Sequence, residues 1–155
     1  MRLKTGIDLE CSPQQAFTWV DDPVRAKQWQ INVSHVEILK ETEQRVGTTF
    51  VERLDENGRG TELHGYISEY EPNSIIAFHL EGDYNVVDVR YTVSPLNGGA
   101  RLEIEAKIRF RSLIRILSLF MGPVFKRQTR QRLDEELLRL QQLCKEEKVT
   151  HYSRR

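Results

Sequence analysis

Between Val33 and Phe110 apolar and polar residues alternate with the two-residue period of a β-strand, and after Arg111 the period becomes helical. A chain with one long stretch of sheet followed by one long helix has few ways to bury its apolar faces. Turn-forming residues divide the sheet region at Gly47, Asn57-Gly58, Pro72-Asn73, Gly82-Asp83 and Asn97-Gly98-Gly99, which leaves room for six strands. In the last of them Leu102, Ile104, Ala106, Ile108 and Phe110 alternate with Arg101, Glu103, Glu105, Lys107 and Arg109, so one face is core and the other solvent. An antiparallel sheet wet on one side follows.

The helical stretch carries Phe125, Thr129, Leu133, Leu137, Leu140 and Cys144 as an apolar stripe flanked by arginines and glutamates. Gly122-Pro123 is expected to open this helix, because proline suits a first turn and not an interior one. The sheet face is the one surface large enough to receive the stripe. One helix covers such a face only if the sheet curls around it, and the space left over is a pocket.

Ahead of the sheet region, Leu3, Thr5, Ile7 and Leu9 alternate with Arg2, Lys4, Asp8 and Glu10 as a further strand. Ser12-Pro13-Gln14-Gln15 then combines a cap hydroxyl, a proline at the first helical position and a glutamine three residues past the cap, and Asp22-Pro23 repeats the cap-plus-proline signal. Two short helices in series are expected. The fold class is α+β: a seven-stranded curved antiparallel sheet around a long C-terminal helix, with two short helices after strand one.

A chain of 155 residues with 39% hydrophobic and 30% charged residues is sized and composed for one globular domain, taken as 1–147 with a polar tail at 148–155. Lysine plus arginine equals aspartate plus glutamate at 23 each, so no overall field gathers nucleic acid, which is not expected as a partner. The N-terminus lacks an apolar signal core, and Leu113 to Phe125 is too short and too interrupted for a transmembrane segment. Cys11 and Cys144 fit no disulfide framework, which points to free thiols in a reducing, cytoplasmic setting.

Several segments together carry a likeness to a known family: Ser12-Pro13-Gln14-Gln15-Ala16-Phe17, Trp29, Val46-Gly47-Thr48, Glu69-Tyr70-Glu71-Pro72 and Leu137-Leu138-Arg139-Leu140. In order and spacing they resemble the START-related helix-grip superfamily (SRPBCC), particularly its polyketide cyclase or dehydrase branch. The resemblance implies an apolar cavity between sheet and helix for lipids, sterols, polyketides, quinones or hormone-like molecules, and it does not imply catalysis. It also implies a place for Trp29 at the pocket mouth.

No glycine loop opens a helix to cradle phosphates, so no cofactor is expected. His35, His64, His79 and His151 lack partners at metal-ligand spacing, and no metal is expected. No serine sits in a nucleophile elbow. Inward polar groups are costly to bury, which makes Arg53, Glu69, Tyr91 and Thr129 the polar candidates for ligand contact. Arg53 shares the parity of Val51, Glu69 that of Leu63 and Ile67, and Tyr91 that of Val87, Val89 and Val93; bulges near Gly47 and Tyr70 would reverse the first two. Trp29, Phe50, Phe78, Phe110, Phe120 and Phe125 are the aromatic candidates, with core packing as the competing role.

The segment 110–121 is apolar almost all round and needs a cover: a lid role, a homodimer interface, or peripheral membrane contact through 110–127 beside Lys126, Arg127, Arg130 and Arg132. These readings lead to binding or carrying of a small apolar molecule as the expected function. The alternatives are a cyclase/dehydrase-type enzyme and a macromolecular interaction protein of the quinone-carrier or ribosome-associated type.

Overall fold

The computed structural model describes the backbone of residues 1–154 except Asn57, and all of their side chains except those of 112–116, 118, 120, 151 and 152. The element order is β1 (Arg2–Leu9), α1 (Pro13–Asp21), α2 (Pro23–Ala26), β2 (Val33–Lys40), β3 (Thr49–Glu56), β4 (Arg59–Glu71), β5 (Ile75–Glu81), β6 (Asn85–Leu96), β7 (Gly99–Phe110) and α3 (Ser112–Ser153). The strands form one antiparallel seven-stranded sheet in the order β1-β7-β6-β5-β4-β3-β2. It is the curved sheet and helix of a helix-grip α+β fold, as the alternation and the single terminal stripe require.

The short helices begin where the cap chemistry places them. Ser12 accepts from the Gln15 amide and the Gln15 side chain accepts from the Ser12 amide, closing a capping box. Asp22 accepts from the Val24 amide at the head of α2. These two helices connect β1 and β2, which lie at opposite edges of the sheet.

The helix at the C-terminus departs from expectation. Gly122-Pro123 opens no new helix; α3 runs unbroken from Ser112 through Pro123 and beyond residue 147 to Ser153. A proline disfavours helix in the residue before it by clashing with that residue's Cβ, and Gly122 has none. Leu119, whose carbonyl loses its helical donor at Pro123, is 78% exposed, so water can replace it.

The main core lies between α1, α2, the C-terminal half of α3 and the β1, β6 and β7 side of the sheet. Phe17, Trp19, Trp29, Ile76, Leu102, Ile104, Leu137, Leu140 and Cys144 are buried in it. Glu147 ties this end together, accepting from the Trp19 indole at 3.1 Å and pairing with Arg25 at 2.9 Å, while the Arg25 guanidinium lies 4.0 Å over the Trp19 ring. A second, smaller apolar cluster of Phe50, Leu63 and Leu80 covers β3, β4 and β5. Among the described residues the helices pack mainly against β1, β6 and β7 and not over this cluster.

Candidate ligand cavity

Two confluent hollows open where the second cluster meets the helices. One, of about 280 Å³, lies under α1 and α2 and is walled by Phe50, Ile67, Phe78, Leu80 and Val89. The other, of about 690 Å³, runs beneath α3 and is walled by Leu54, Leu63, Val87, Ile104, Ile108, Phe110, Phe125 and Leu133. Gln30, Glu52, Leu80, Val89 and Tyr91 line both, so they form the junction between two lobes of one cavity.

Strand register decides which side chains reach this space. Phe50 lies opposite Gly65 and Glu52 opposite Leu63, with Leu63 and Ile67 buried on the concave face. A Cβ on Gly65 would fall 2.9 Å from the Phe50 ring, so the glycine makes the room that Phe50 occupies. With Phe50 inward, Glu52 and Leu54 point inward as well. Phe50 meets Phe78 edge-on at 5.6 Å, and Phe78 meets Tyr91 at 6.1 Å, a continuous aromatic wall.

Two carboxylates and a phenol stand at or beside the junction: Glu52 and Tyr91 line both lobes and Glu136 the larger one. Glu136, buried on α3, accepts from the Ile31 amide at 2.9 Å. Glu52 has no hydrogen-bond partner among the described residues. Burial, reinforced by the negative charge of Glu136, raises its carboxyl to about 7. Burial likewise raises the Glu136 carboxyl, opposed by the Ile31 amide and Arg132. The Tyr91 phenol is pushed up by burial and then by Glu52 and Glu136, with the Gln30 side chain acting the other way. It is therefore a hydrogen-bonding phenol at neutral pH.

The residues expected to meet a ligand divide into groups. Phe50, Phe78, Tyr91, Phe110, Phe125 and Thr129 line the cavity, although the Thr129 hydroxyl already donates to the Phe125 carbonyl at 2.9 Å. Phe110 and Phe125 stack edge-on at 5.3 Å near the β7–α3 end. The side chain of Phe120 lies outside the described residues. Leu117, Leu119, Met121 and Val124 on the same helix are exposed, so the folded chain leaves them uncovered.

Three expectations need correction. Trp29 is 1% exposed and lies inside the packed core, not at the pocket mouth; its indole donates to the Trp19 carbonyl at 2.8 Å and its ring meets Tyr91 edge-on. Arg53 points to the outer face beside Glu62, because Val51, whose parity it shares, also faces outward. Glu69 also lies outside, paired with Arg90 at 2.9 Å, because a register shift between Ile67 and Glu69 reverses its side. Glu52 and Glu136 went unforeseen. The clue for Glu136 was its spacing, three residues from Leu133 and four from Leu140 on the buried stripe.

A curved antiparallel sheet gripping a terminal helix over an apolar cavity defines a START-like helix-grip fold. The chain belongs to the family described as polyketide cyclase / dehydrase and lipid transport, whose model matches residues 2–145. Among solved structures it is similar to a START superfamily protein from Mycobacterium smegmatis, with 15% identity over 94% of this chain and 97% of that one and a TM-score of 0.77. A protein from Thermus thermophilus is similar at 12% identity over 93% and 97% of the two chains, with a TM-score of 0.77. The Zhui aromatase/cyclase from a Streptomyces species is similar at 11% identity over 94% and 93%, with a TM-score of 0.77. At these identities the likeness is one of fold. No protein with a curated description matches the sequence.

Proposed function

We propose that the protein binds and carries a small apolar molecule in the cavity between the sheet and α3. The observation that supports this reading is the two-lobed hollow of about 690 and 280 Å³ with largely aromatic and aliphatic walls and with the polar side chains of Gln30, Glu52 and Tyr91 where the lobes meet. Walls of this kind favour an apolar body by removing it from water, and the junction gives it one polar end to orient. Native mass spectrometry of the purified protein, followed by organic extraction, is expected to release a small apolar molecule. Occupancy is expected to fall in Val89→Phe, which narrows the wall shared by both lobes. An empty protein that also refuses a panel of lipids, quinones and aromatics would overturn the reading.

One observation favours a second reading, a cyclase/dehydrase-type enzyme. Glu52 combines a carboxyl at about 7 with a position in the cavity wall, and such a group can take or give a proton near neutral pH. On this reading a polyketide-like β-diketone is turned over by the protein, and Glu52→Gln removes the turnover while the thermal transition stays cooperative. Equal consumption with and without protein would dismiss it.

A further inference from the structure

The charge at the junction narrows the class of ligand. The cavity wall holds Asp21, Glu41, Glu52, Glu56 and Glu136 against Arg45 and Arg132 among the described residues. Both guanidinium groups are already committed: Arg45 pairs with Asp21 and Glu41, and Arg132 with Glu56 at 2.7 Å. Glu52 and Glu136 are left with no ion pair among the described residues, and both face the same lobe. An anionic headgroup placed there would oppose the ionised form of both carboxyls in a desolvated site, whereas a cation would favour it, which argues against a fatty-acid ligand.

A second observation concerns the walls. Tyr91 lines the junction and Phe78 and Phe50 continue from it along the smaller lobe, in edge-on contact at 6.1 and 5.6 Å. Aromatic faces attract cations through their quadrupole, and carboxylates beside such faces complete the usual environment for an ammonium group. The walls and the carboxylates are independent features of the sequence, one from strands β3, β5 and β6 and the other from β3 and α3, yet they select the same chemistry.

We propose that the ligand is an apolar amine whose ammonium group sits at the junction, ion-paired with Glu52 and Glu136 and bordered by Phe50, Phe78 and Tyr91, with its apolar body in the larger lobe. This rests on the apolar-ligand reading and specifies its polar end. Tyr91 and Gln30 supply the remaining hydrogen-bonding capacity there.

The test is a calorimetric titration of the intact protein with three probes that share a chain and differ in headgroup: decylamine, 1-decanol and decanoic acid. At near-neutral pH decylamine is expected to bind about tenfold more tightly than 1-decanol, the ratio given by ~1.4 kcal/mol of added attraction, and decanoic acid most weakly. In Glu52→Gln and in Glu136→Gln, each checked for a cooperative thermal transition, the amine-to-alcohol ratio is expected to fall towards one. Equal binding of amine and alcohol, tightest binding of decanoic acid, or an unchanged ratio in both variants overturns the amine assignment while leaving an apolar carrier intact. Binding of none of the three overturns the apolar-ligand reading, and the amine assignment with it.

Discussion

Glu52 illustrates how a single side chain carries information that its neighbours in sequence conceal. Its carboxyl stands at about 7 in the folded chain against an ordinary 4.5, so folding favours its protonated form. Between those two values the unfolded chain gives up its proton first, and stability falls as pH rises. Above about pH 7 the full cost, about 3 kcal/mol at 1.4 kcal/mol per pH unit, is in force. Glu136, raised in the same direction, adds to this trend, whereas the Tyr91 phenol stays protonated throughout. Glu52→Gln is therefore expected to unfold at a higher temperature than the parent at about pH 8 and at nearly the same temperature at about pH 4. Thermal scans across that interval check it; a constant offset at every pH would mean that Glu52 is not desolvated. This residue was hard to find because β3 reads Phe50-Val51-Glu52-Arg53-Leu54, in which either parity offers an apolar and a charged member. Alternation gives the faces but not which of them is inside. Trp29 was misplaced for a different reason: an indole that finds a backbone acceptor inside the core needs no pocket mouth.

At the level of elements, register is set by small irregularities. The shift between Ile67 and Glu69 turns Glu69 to solvent and lets Tyr70 pack against Phe17 at 5.8 Å. Gly65, earlier on the same strand, admits Phe50 to the cavity wall. A Cβ there would stand 2.6 Å from Leu80 Cδ2, 2.8 Å from the His79 carbonyl oxygen and 2.9 Å from Phe50 Cζ. The two side chains can rotate away, but the carbonyl belongs to the paired strand β5. Gly65→Ala is thus expected to cost about 1–3 kcal/mol and to displace Phe50. Denaturant unfolding with a lowered midpoint, together with weaker binding of an apolar probe, checks both halves; unchanged stability would show that β4 and β5 separate freely at this point. Strand number, the two capped helices and the terminal helix were all legible from period and punctuation. The bulge and the passage of α3 through Pro123 were not, because both depend on which atoms stand opposite one another across space. Gly122 gave a local hint of the second, since a proline's usual clash needs a Cβ before it.

Across the whole molecule, the main core and the larger lobe of the cavity lie largely under different halves of α3. At the closed end, α1, α2 and the second half of α3 bury Trp19, Trp29, Leu137, Leu140 and Cys144, and Glu147 locks the helices together. At the open end the first half of α3 spans a cavity, with Val124 55% and Phe125 40% exposed and Phe125 forming part of the wall. A protein arranged this way can admit a ligand beneath one half of a helix while the other half holds the fold, since local opening does not require the main core to loosen. Stability and binding should then respond separately to truncations along α3. Leu140→Ala removes a side chain with no exposure from the main core and is expected to cost about 2–5 kcal/mol while leaving the affinity for 1-decanol within about twofold. Phe125→Ala removes the edge-on contact with Phe110 and a piece of cavity wall, so it is expected to cost about 1 kcal/mol in stability but to weaken the same binding several-fold. Denaturant unfolding and calorimetric titration of both variants, carried out where each is folded, measure the two effects side by side. If Leu140→Ala weakens binding as much as Phe125→Ala does, the two halves of α3 act as one rigid body. The helix would then have to lift away from the sheet as a unit to admit a ligand, and entry would be tied to the stability of the main core.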